Sequence, residues 1–459
     1  MRLQNPNTGG LLRNKGFTRV YAAYALAVFG DWFDALAIQV LAGYRWGVSP
    51  IMLAMIPVAL ALPGVLLGSW AGVTADRIDK LKLMRICDLL TALLTVCILA
   101  APNMAALLPI LALRSAVSSF AMPAHQSLTR RLVREDQLMQ ASSLNGFVNQ
   151  GSKIFGPLLG GAALLVLSPM WCIAVNACAR LLSYLLLRLA GRPGGVSREA
   201  SAPARSGNDA AQPAEPAAKM WSEGWRFVRS SRTLMNTLLF CFTATVAIQI
   251  VDFQFTSLFR ELDPERSYLL GWMVSASGVG AVTMMAVMSK WNRGSNYGGK
   301  FGIGYLLLGV SLAGLGWLPS GAPTVSVLLL GGLLGLGNGL LSVTFTYALQ
   351  KETPPAMTGR VFGIQHTVLS TVMVIAPLAG GASVQSLGAS RIFIGIGAAV
   401  AVLGAAGVLL RRRLWPETGQ GQGQADTGQL ERDAGIRQPD FVQDNPETLR
   451  PKAAGETLS

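Results

Sequence analysis

The sequence is poor in charged residues, histidine and cysteine. Only 14% of its 459 residues are charged, and it contains two histidines and five cysteines. Because soluble domains carry about 25% charged residues, water is not the main solvent of this chain. It has no His-Glu-x-x-His pattern, no complete P-loop and no Gly-x-Ser-x-Gly elbow, which argues against a metalloprotease, an ATP-driven pump and a serine hydrolase. We therefore expect no enzymatic activity, no metal site and no cofactor.

Long apolar stretches make up most of the chain. Twelve recur, at roughly 20–44, 50–74, 84–101, 105–125, 144–167, 170–190, 233–258, 268–289, 300–318, 324–349, 362–385 and 389–410. Each is long enough to cross a hydrocarbon core of about 30 Å at about 1.5 Å per residue. Many of the 51 glycines lie inside these stretches, often four residues apart, which lets helices approach closely in lipid. The pattern predicts an all-α membrane protein of about twelve transmembrane helices.

The basic residues predict which way the helices face. With a cytoplasmic amino terminus, about 31 of the 38 Lys and Arg residues lie on cytoplasmic segments. The opposite orientation would place most of them outside, against the usual bias. We therefore expect a multi-pass protein of the cell (inner) membrane with both termini in the cytoplasm. The net charge of +14 then requires no nucleic-acid partner.

Two polar segments divide the chain. Residues 191–232 are basic and rich in Ala, Pro, Gly and Ser, which predicts a partly disordered cytoplasmic linker, and residues 415–459 resemble a disordered cytoplasmic tail. The remaining residues form an amino-terminal bundle, 1–190, and a carboxy-terminal bundle, 233–414. We expect each to contain six helices, and we expect a monomer.

The two bundles share a weak internal repeat. Residues 156–161 match residues 376–381, and a nearly equal offset carries 31–33 onto 252–254. Such a repeat predicts pseudo-symmetric halves with a binding site at their interface near mid-membrane.

The segment after the second stretch carries a recognisable motif. It reads Gly72-Val-Thr-Ala-Asp76-Arg77-Ile-Asp79-Lys80-Leu-Lys82. It resembles the signature Gly-x-x-x-Asp-Arg-x-Gly-Arg-[Arg/Lys] of the major facilitator superfamily, in the expected place. The resemblance implies a conformational gate that contains Gly72, Asp76, Arg77, Lys80 and Arg360. In that gate Asp76 would meet the positive amino terminus of helix 11 when the cytoplasmic side closes. This chain departs from the signature at Asp79, where the family has glycine.

The fifth stretch carries a second motif. Its residues Gly151, Gly156, Pro157, Gly160 and Gly161 resemble the Gly-Pro-x-x-Gly-Gly pattern that the superfamily associates with exporters. Small residues permit a tight helix contact, and a proline bends the helix. A packing helix without directional meaning is the alternative.

Further segments narrow the resemblance to a subgroup. The connections at 122–145 and 350–361, and residues 223–227, are similar to those of the third drug:proton antiporter group. That group includes macrolide and siderophore exporters. The resemblance covers residues 17–410 and implies a secondary active transporter without a cofactor.

Charged side chains within the stretches are the candidates for proton coupling. They are Asp31, Asp34, Arg114, Lys153 and Asp252, with Arg180 as a further base. Each costs about 2.5–3.5 kcal/mol at the centre of a membrane helix, so such residues mark pathways or paired networks. Either they form ion bridges that hold the amino-terminal half together, or a carboxylate of the first helix carries a proton across. We favour Asp31 over Asp34 as that carrier, with Arg114 as its partner.

The expected substrate is a small amphipathic molecule. Trp32, Phe33, Phe147, Phe253 and Phe255 are the candidate cavity residues, because aromatic side chains suit an adaptable apolar site. We expect proton-coupled efflux of drug-, macrolide- or siderophore-like molecules. The alternatives are a lysophospholipid or other metabolite transporter, and a membrane sensor that moves no solute.

The orientation can be tested by cysteine labelling of intact cells. We predict that a cysteine introduced by Arg205→Cys stays unlabelled by an impermeant maleimide until the membrane is permeabilised, because residue 205 is placed in the cytoplasm. The five native cysteines all lie in apolar stretches, and the unsubstituted chain measures their background. Strong labelling at position 205 without permeabilisation would reverse the orientation.

Overall fold

The computed structural model describes residue 11 and residues 14–133, 137–190, 217–291, 296–354 and 357–415. Every regular element in these residues is helical. The α-helices are α1 Lys15–Val40, α2 Pro50–Arg77, α3 Lys80–Leu99, α4 Met104–Leu132, α5 Leu138–Val166, α6 Pro169–Leu189, α7 Ala217–Ser230, α8 Arg232–Val251, α9 Phe255–Leu262, α10 Tyr268–Trp291, α11 Tyr297–Trp317, α12 Thr324–Glu352, α13 Thr358–Leu387, α14 Ala389–Leu409 and α15 Arg411–Leu414. A π-helical turn, Leu41–Arg45, extends α1, and a 3₁₀ turn, Asp252–Gln254, joins α8 to α9.

The all-α membrane fold is confirmed. Within the described residues, ten helical segments are long and apolar enough to cross a membrane. The third and fifth predicted stretches correspond to the long helices α3 and α5, which are more polar at their starts. Lys80, Lys82, Arg85 and Asp88 lie in the first half of α3, and in α5 the apolar run is confined to Phe155–Val166. Together these helices give the expected number of about twelve.

Local signals in the sequence account for where the helices begin. Proline occupies the first position of α2 and α6, where its missing N–H needs no partner. The side chains of Asn14, Asn103 and Asn296 accept hydrogen bonds from backbone N–H groups in the first turns of α1, α4 and α11. Asp79 caps α3 in the same way, by accepting from the Lys82 N–H at 2.8 Å.

Two parts of the predicted linker and tail are ordered helix or core. The amphipathic helix α7 lies inside the predicted linker, and it packs on α13 through Gly224 and the buried Val228. Trp415, predicted as the first residue of the tail, is buried, and its indole N–H donates to Thr237 Oγ1 at 3.1 Å. In both places apolar side chains, Val228 and Trp415, are buried against the bundle. Residues 191–216 and 416–459 lie outside the described residues.

Glycine sets the distance between helices in the carboxy-terminal half. Helices α11 and α14 make the most extensive contact in the described residues. A methyl group added at Gly309 would lie 2.6 Å from the Gly397 carbonyl oxygen, and one at Gly397 would lie 2.7 Å from that of Gly309. Gly302 and Gly404 are related in the same way, at 2.8 Å in each direction. The two backbones therefore touch over two helical turns, which only glycine allows.

The two halves meet at glycines of the internal repeat. A methyl group at Gly161 of α5 would lie 2.8 Å from the Gly271 carbonyl oxygen of α10, in the other half. One at Gly381 of α13 would lie 2.8 Å from the Pro50 carbonyl oxygen of α2, again across the halves. Both seams lie where α2 and α10 begin, and we call this end of the molecule the distal end. The opposite end, which carries Arg77 and Lys80, is the basic end.

The glycine contact between α11 and α14 predicts a selective loss of stability. Gly309→Val should lower the free energy of unfolding by about 1–3 kcal/mol, because its side chain overlaps the backbone of α14. Gly395→Val is the matched control, since nothing lies within 4 Å of a methyl group added at Gly395. Thermal unfolding of the purified proteins in detergent compares them. Equal melting temperatures for the two variants would contradict the contact.

Candidate functional site

A cavity of about 480 Å³ lies between the two halves. The amino-terminal half contributes residues of α1, α2 and α5, and the carboxy-terminal half contributes residues of α8 to α13. The polar members are Gln39, Lys153, Gln249, Asp252, Ser277 and Asn338. The remaining lining is aliphatic, aromatic or proline, so the cavity is apolar with a small number of polar groups, as is usual for small-molecule sites.

Breaks in the helices bring the cavity residues to its walls. The α-helix of the seventh span stops at Val251, and the 3₁₀ turn that follows presents Asp252 and Phe253 to the cavity, ahead of Phe255. On the opposite wall, Lys153 and Pro157 are four residues apart in α5 and therefore share a face. Trp32 of α1 packs over Gly156, which leaves its ring at the cavity.

The cavity contains three of the five aromatic residues predicted for it. Trp32, Phe253 and Phe255 line it. Phe33 and Phe147 do not, and the prediction for these two was wrong. Phe33 is next to Trp32 in α1, where successive side chains point about 100° apart. Phe147 is 70% exposed and is not among the residues that line the cavity.

Direct contacts between the halves close the distal end. Arg260 of α9 donates from Nη1 to the carbonyl oxygens of Gly43 and Val48, both at 2.9 Å. Gln254 Nε2 donates to the Pro50 carbonyl oxygen at 3.0 Å. Together with the glycine seams at Gly161 and Gly381, these bonds separate the cavity from the distal end.

Nearer the basic end, several glycines of α2, α5 and α13 have open space beside them. A methyl group added at Gly64 or Gly68 of α2, at Gly146 or Gly151 of α5, or at Gly363 of α13 would meet nothing within 4 Å. These positions lie on the same three helices as the distal contacts, but nearer the basic end. At these five glycines, therefore, the described residues of the two halves do not approach each other as they do in the distal seams.

A buried ion pair lies inside the amino-terminal half. The carboxylate of Asp34 in α1 is fully buried and accepts a hydrogen bond from Arg114 Nη1 of α4. It also accepts from Asn176 Nδ2 of α6 at 2.7 Å. Arg114 is therefore the partner of Asp34. The prediction that it pairs with Asp31 was wrong, because Asp31 points toward α6.

A second ion cluster joins α1, α3 and α6. Arg180 donates from Nη2 to Asp31 at 2.5 Å and from Nη1 to Asp88 at 3.2 Å. Asn176 donates to Asp31 at 3.4 Å and thereby links this cluster to Asp34. The Asp31 side chain is 43% exposed, whereas those of Asp34, Asp88 and both arginines are 8% exposed or less. Asp31 is thus the accessible acid of the network.

Sequence reasoning missed Asp88 and Asn176. Asp88 lies inside the predicted third stretch, so a count of acids in every stretch would have found it. Asn176 carries no charge and gave no signal. The five candidates for proton coupling therefore separate into two places: Asp31, Asp34 and Arg114 lie in the network, and Lys153 and Asp252 lie in the cavity.

The predicted gate is only partly described. Gly72 and Asp76 lie outside the residues whose side chains the structure describes. Arg77 is exposed, whereas Lys80 is buried at the start of α3. Arg360 of α13 forms an ion pair with Glu223 of α7 at 2.5 Å, so the amphipathic helix is tied to the basic end of α13.

The glycines of the fifth span contact two different neighbours. Gly156 and Gly160 pack against α1 at Trp32, within the same half, whereas Gly161 packs against α10 in the other half. Gly380 and Gly381 repeat this arrangement, with contacts to Ile250 of α8 and to α2. Gly151 has no such neighbour. Pro157 lies inside α5 and lines the cavity.

The sequence of this chain is similar to those of known membrane transporters. The sequence profile of the Major Facilitator Superfamily matches residues 20–377. YfiS, an uncharacterized MFS-type transporter of Bacillus subtilis (strain 168), is 28% identical over 399 residues, which cover 86% of this chain and 93% of YfiS. The multidrug efflux pump Tap of Mycolicibacterium fortuitum is 23% identical over 376 residues, 78% of this chain and 87% of Tap. These descriptions are compatible with the expectation that the chain is not an enzyme.

A solved structure supports the fold. The bacterial homologue of the human lysosomal transporter Spinster, in an inward-facing and unoccupied conformation, has a TM-score of 0.61 to this chain. The two are 14% identical, and the match covers 87% of this chain and 98% of that one. At this identity the likeness concerns the fold alone.

The buried pair predicts strong coupling between Asp34 and Arg114. Arg114→Gln should destabilise the protein by about 3–5 kcal/mol, because it leaves a buried carboxylate without its cation. The double variant Asp34→Asn/Arg114→Gln should regain most of that loss, since no uncompensated charge remains. Thermal unfolding in detergent measures both.

The matched control for this pair is Arg266→Gln. Arg266 pairs with Asp263 in a loop, and both side chains are more than 20% exposed. Its loss should therefore change the melting temperature little, because exposed ion pairs contribute weakly to stability. A double variant that is less stable than Arg114→Gln would contradict the coupling.

Proposed function

Because the chain belongs to the Major Facilitator Superfamily, we propose that it is a secondary active transporter that exports small amphipathic molecules by alternating access, driven by proton influx. The observation that carries this proposal is the cavity between the halves, closed by contacts at the distal end, together with the open space beside the described glycines of α2, α5 and α13 nearer the basic end. With the basic loops in the cytoplasm, this arrangement faces inward and would load substrate from the cytoplasm or the inner leaflet.

In the outward-facing state of the proposed cycle, the distal end would be open and the basic end would be closed. The seams at Gly161 and Gly381 and the bonds of Arg260 would open, and the basic ends of α2, α5 and α13 would close. The glycines at those basic ends, such as Gly68 and Gly151, supply small surfaces for that closure. The proposed gate of Asp76, Arg77 and Arg360 lies at the same end.

The apolar lining favours amphipathic substrates. Trp32, Phe253 and Phe255 offer flat apolar surface, while Gln39 and Asn338 offer hydrogen bonds. The similarity to the multidrug efflux pump Tap, which covers 78% of this chain, supports export as the direction of transport. Drug-like molecules are therefore the substrates that we propose to test first.

The ion network of the amino-terminal half is the proposed route for the proton. Asp31 is its accessible member, and Arg180 and Asn176 connect it to Asp88 and Asp34. A proton taken up by Asp31 would weaken its bond to Arg180 and so alter the packing of α1 on α6. One proton that moves inward yields about 2.3 kcal/mol per 100 mV and about 1.4 kcal/mol per pH unit, which supports a substrate gradient of a few hundred-fold.

Neutral substitution of the network acids tests the coupling. Asp31→Asn mimics the protonated acid permanently, so proton-driven export in proteoliposomes should stop, whereas exchange of substrate without a gradient should continue. The substrate is first identified by profiling a deletion strain against amphipathic drugs. Both assays then use that compound in labelled form.

Asp263→Asn provides the control for these assays. Asp263 lies in a loop outside the helices and pairs only locally with Arg266, so export should remain at the unsubstituted rate. If proton-driven export persists undiminished in both Asp31→Asn and Asp34→Asn, the network is a structural ion bridge. The proton would then be carried elsewhere.

A further inference from the structure

A second cavity lies within the amino-terminal half, toward the basic end. It has a volume of about 790 Å³ and lies between the last turns of α4 and the first turns of α5, beside Tyr24 of α1. Both helices pack on α1 but not closely on each other. We call this space the α4–α5 cavity, and its neutral polar lining includes Gln126, Thr129, Ser142 and Asn149.

The imidazole of His125 is a buried polar group of this cavity. The residue is 3% exposed, and its ring stacks on that of Tyr24, with the centroids 4.1 Å apart and the planes at 14°. Stacking covers a face of the ring and leaves the two nitrogens at its edge. Neither nitrogen makes a hydrogen bond of standard geometry with the residues that the structure describes. Because buried polar groups in proteins are almost always hydrogen-bonded, the ring indicates a polar ligand group in the cavity.

The charge of the α4–α5 cavity is positive. Arg130 lines it and is exposed, and no acid is among the described residues of the lining. A guanidinium group binds carboxylates and phosphates through paired hydrogen bonds. Asn145, whose Oδ1 has no partner among the described residues, adds an amide that can donate or accept. A cation among neutral donors, without a described acid beside it, favours an oxyanion as the ligand.

One face of α5 connects this cavity with the cavity between the halves. Asn145, Asn149, Lys153 and Pro157 are spaced four residues apart and therefore share that face. The first two line the α4–α5 cavity, and the last two line the cavity between the halves. Neighbouring members are about 6 Å apart along the helix axis. The α4–α5 cavity therefore lies beside the other one, on its basic side.

We propose that the α4–α5 cavity is an entry site that binds the carboxylate or phosphate group of an amphipathic molecule. Arg130 is the ion-pair partner of that group, and His125 donates a hydrogen bond to it from a buried, stacked position. Tyr24, Met122 and Leu138 offer apolar surface to the rest of the molecule. The role in entry rests on the proposed function, because the basic end is open in the inward-facing state, whereas the binding of an oxyanion does not depend on transport.

Equilibrium binding to the purified full chain in phosphatidylcholine nanodiscs tests the proposal. The probes are dansylglycine, which carries a carboxylate, and dansylglycine amide, which is the same molecule without the charge. Dansyl fluorescence, corrected with empty nanodiscs, should show that the unsubstituted chain binds dansylglycine at least about tenfold more tightly than the amide. That ratio corresponds to about 1.4 kcal/mol.

Three variants locate the binding. Arg130→Gln should reduce the affinity for dansylglycine to that for the amide. His125→Phe keeps a ring against Tyr24 but removes both nitrogens, so it should weaken dansylglycine binding about three- to tenfold, the usual effect of one hydrogen bond. Arg131→Gln is the matched control, because Arg131 is the next residue of α4 and does not line the cavity. It should leave both affinities unchanged.

Nanodiscs that contain phosphatidylglycerol distinguish two sources of the oxyanion. If its phosphate occupies the cavity, dansylglycine should bind more weakly to the unsubstituted chain and to Arg131→Gln, but not to Arg130→Gln. If the natural ligand is a soluble acid, all three proteins should keep the affinities that they have in phosphatidylcholine. Both results support the oxyanion site and differ in the source of the ligand.

Three results would overturn the proposal. They are failure of the unsubstituted chain to bind dansylglycine, equal affinity for the acid and the amide, and equal losses in Arg130→Gln and Arg131→Gln. Binding is measured without a proton gradient. If the preference for the acid holds while proton-driven export fails, the proposed function is wrong and the oxyanion site stands. If export is observed without any preference for the acid, only the oxyanion site is wrong.

Discussion

The close approach of helix backbones at glycine is the constraint on which the rest of the structure depends. In α5, Gly160 packs on α1 of its own half and Gly161 on α10 of the other half; in α13, Gly380 and Gly381 do the same with α8 and α2. Each pair therefore fixes one helix against two neighbours at once. Because a side chain at either position would overlap backbone atoms, the seams at the distal end can form only with glycine. These seams lie between the cavity and the distal end of the molecule.

Charge is divided between two environments with different consequences. Asp34, Asp88, Arg114 and Arg180 lie within one half, where each acid has a base and further hydrogen bonds from Asn176 or Ser183. In the proposed alternating-access cycle such a network would stay intact, because all its members belong to the same half. Lys153 and Asp252 line the cavity and come from different halves. Asp31 is exposed yet bonded to the network, which is why it is the proposed site of proton uptake.

The internal repeat predicts the packing of glycines better than the environment of charges. The matches of residues 156–161 with 376–381 correspond to equivalent contacts, because the repeat preserves backbone shape. The match of Asp31 with Asp252 does not, since Asp31 bonds to Arg180 whereas Asp252 faces the cavity. The local backbone differs as well, since Asp252 begins a 3₁₀ turn whereas Asp31 lies inside helix α1. A match of residue types between the two halves does not predict such a difference in the local backbone.

The sequence by itself determined that this chain is an all-α membrane protein with two related halves, because apolar length, glycine spacing and proline positions act locally and are read in chain order. It also supplied most of the charged residues of the candidate site. The tertiary structure decided which charges meet. Asp34 rather than Asp31 pairs with Arg114, Asp88 joins through Arg180, and Trp32 rather than Phe33 lines the cavity. These outcomes depend on the rotation of each helix about its axis, which is set by packing against neighbours distant in sequence.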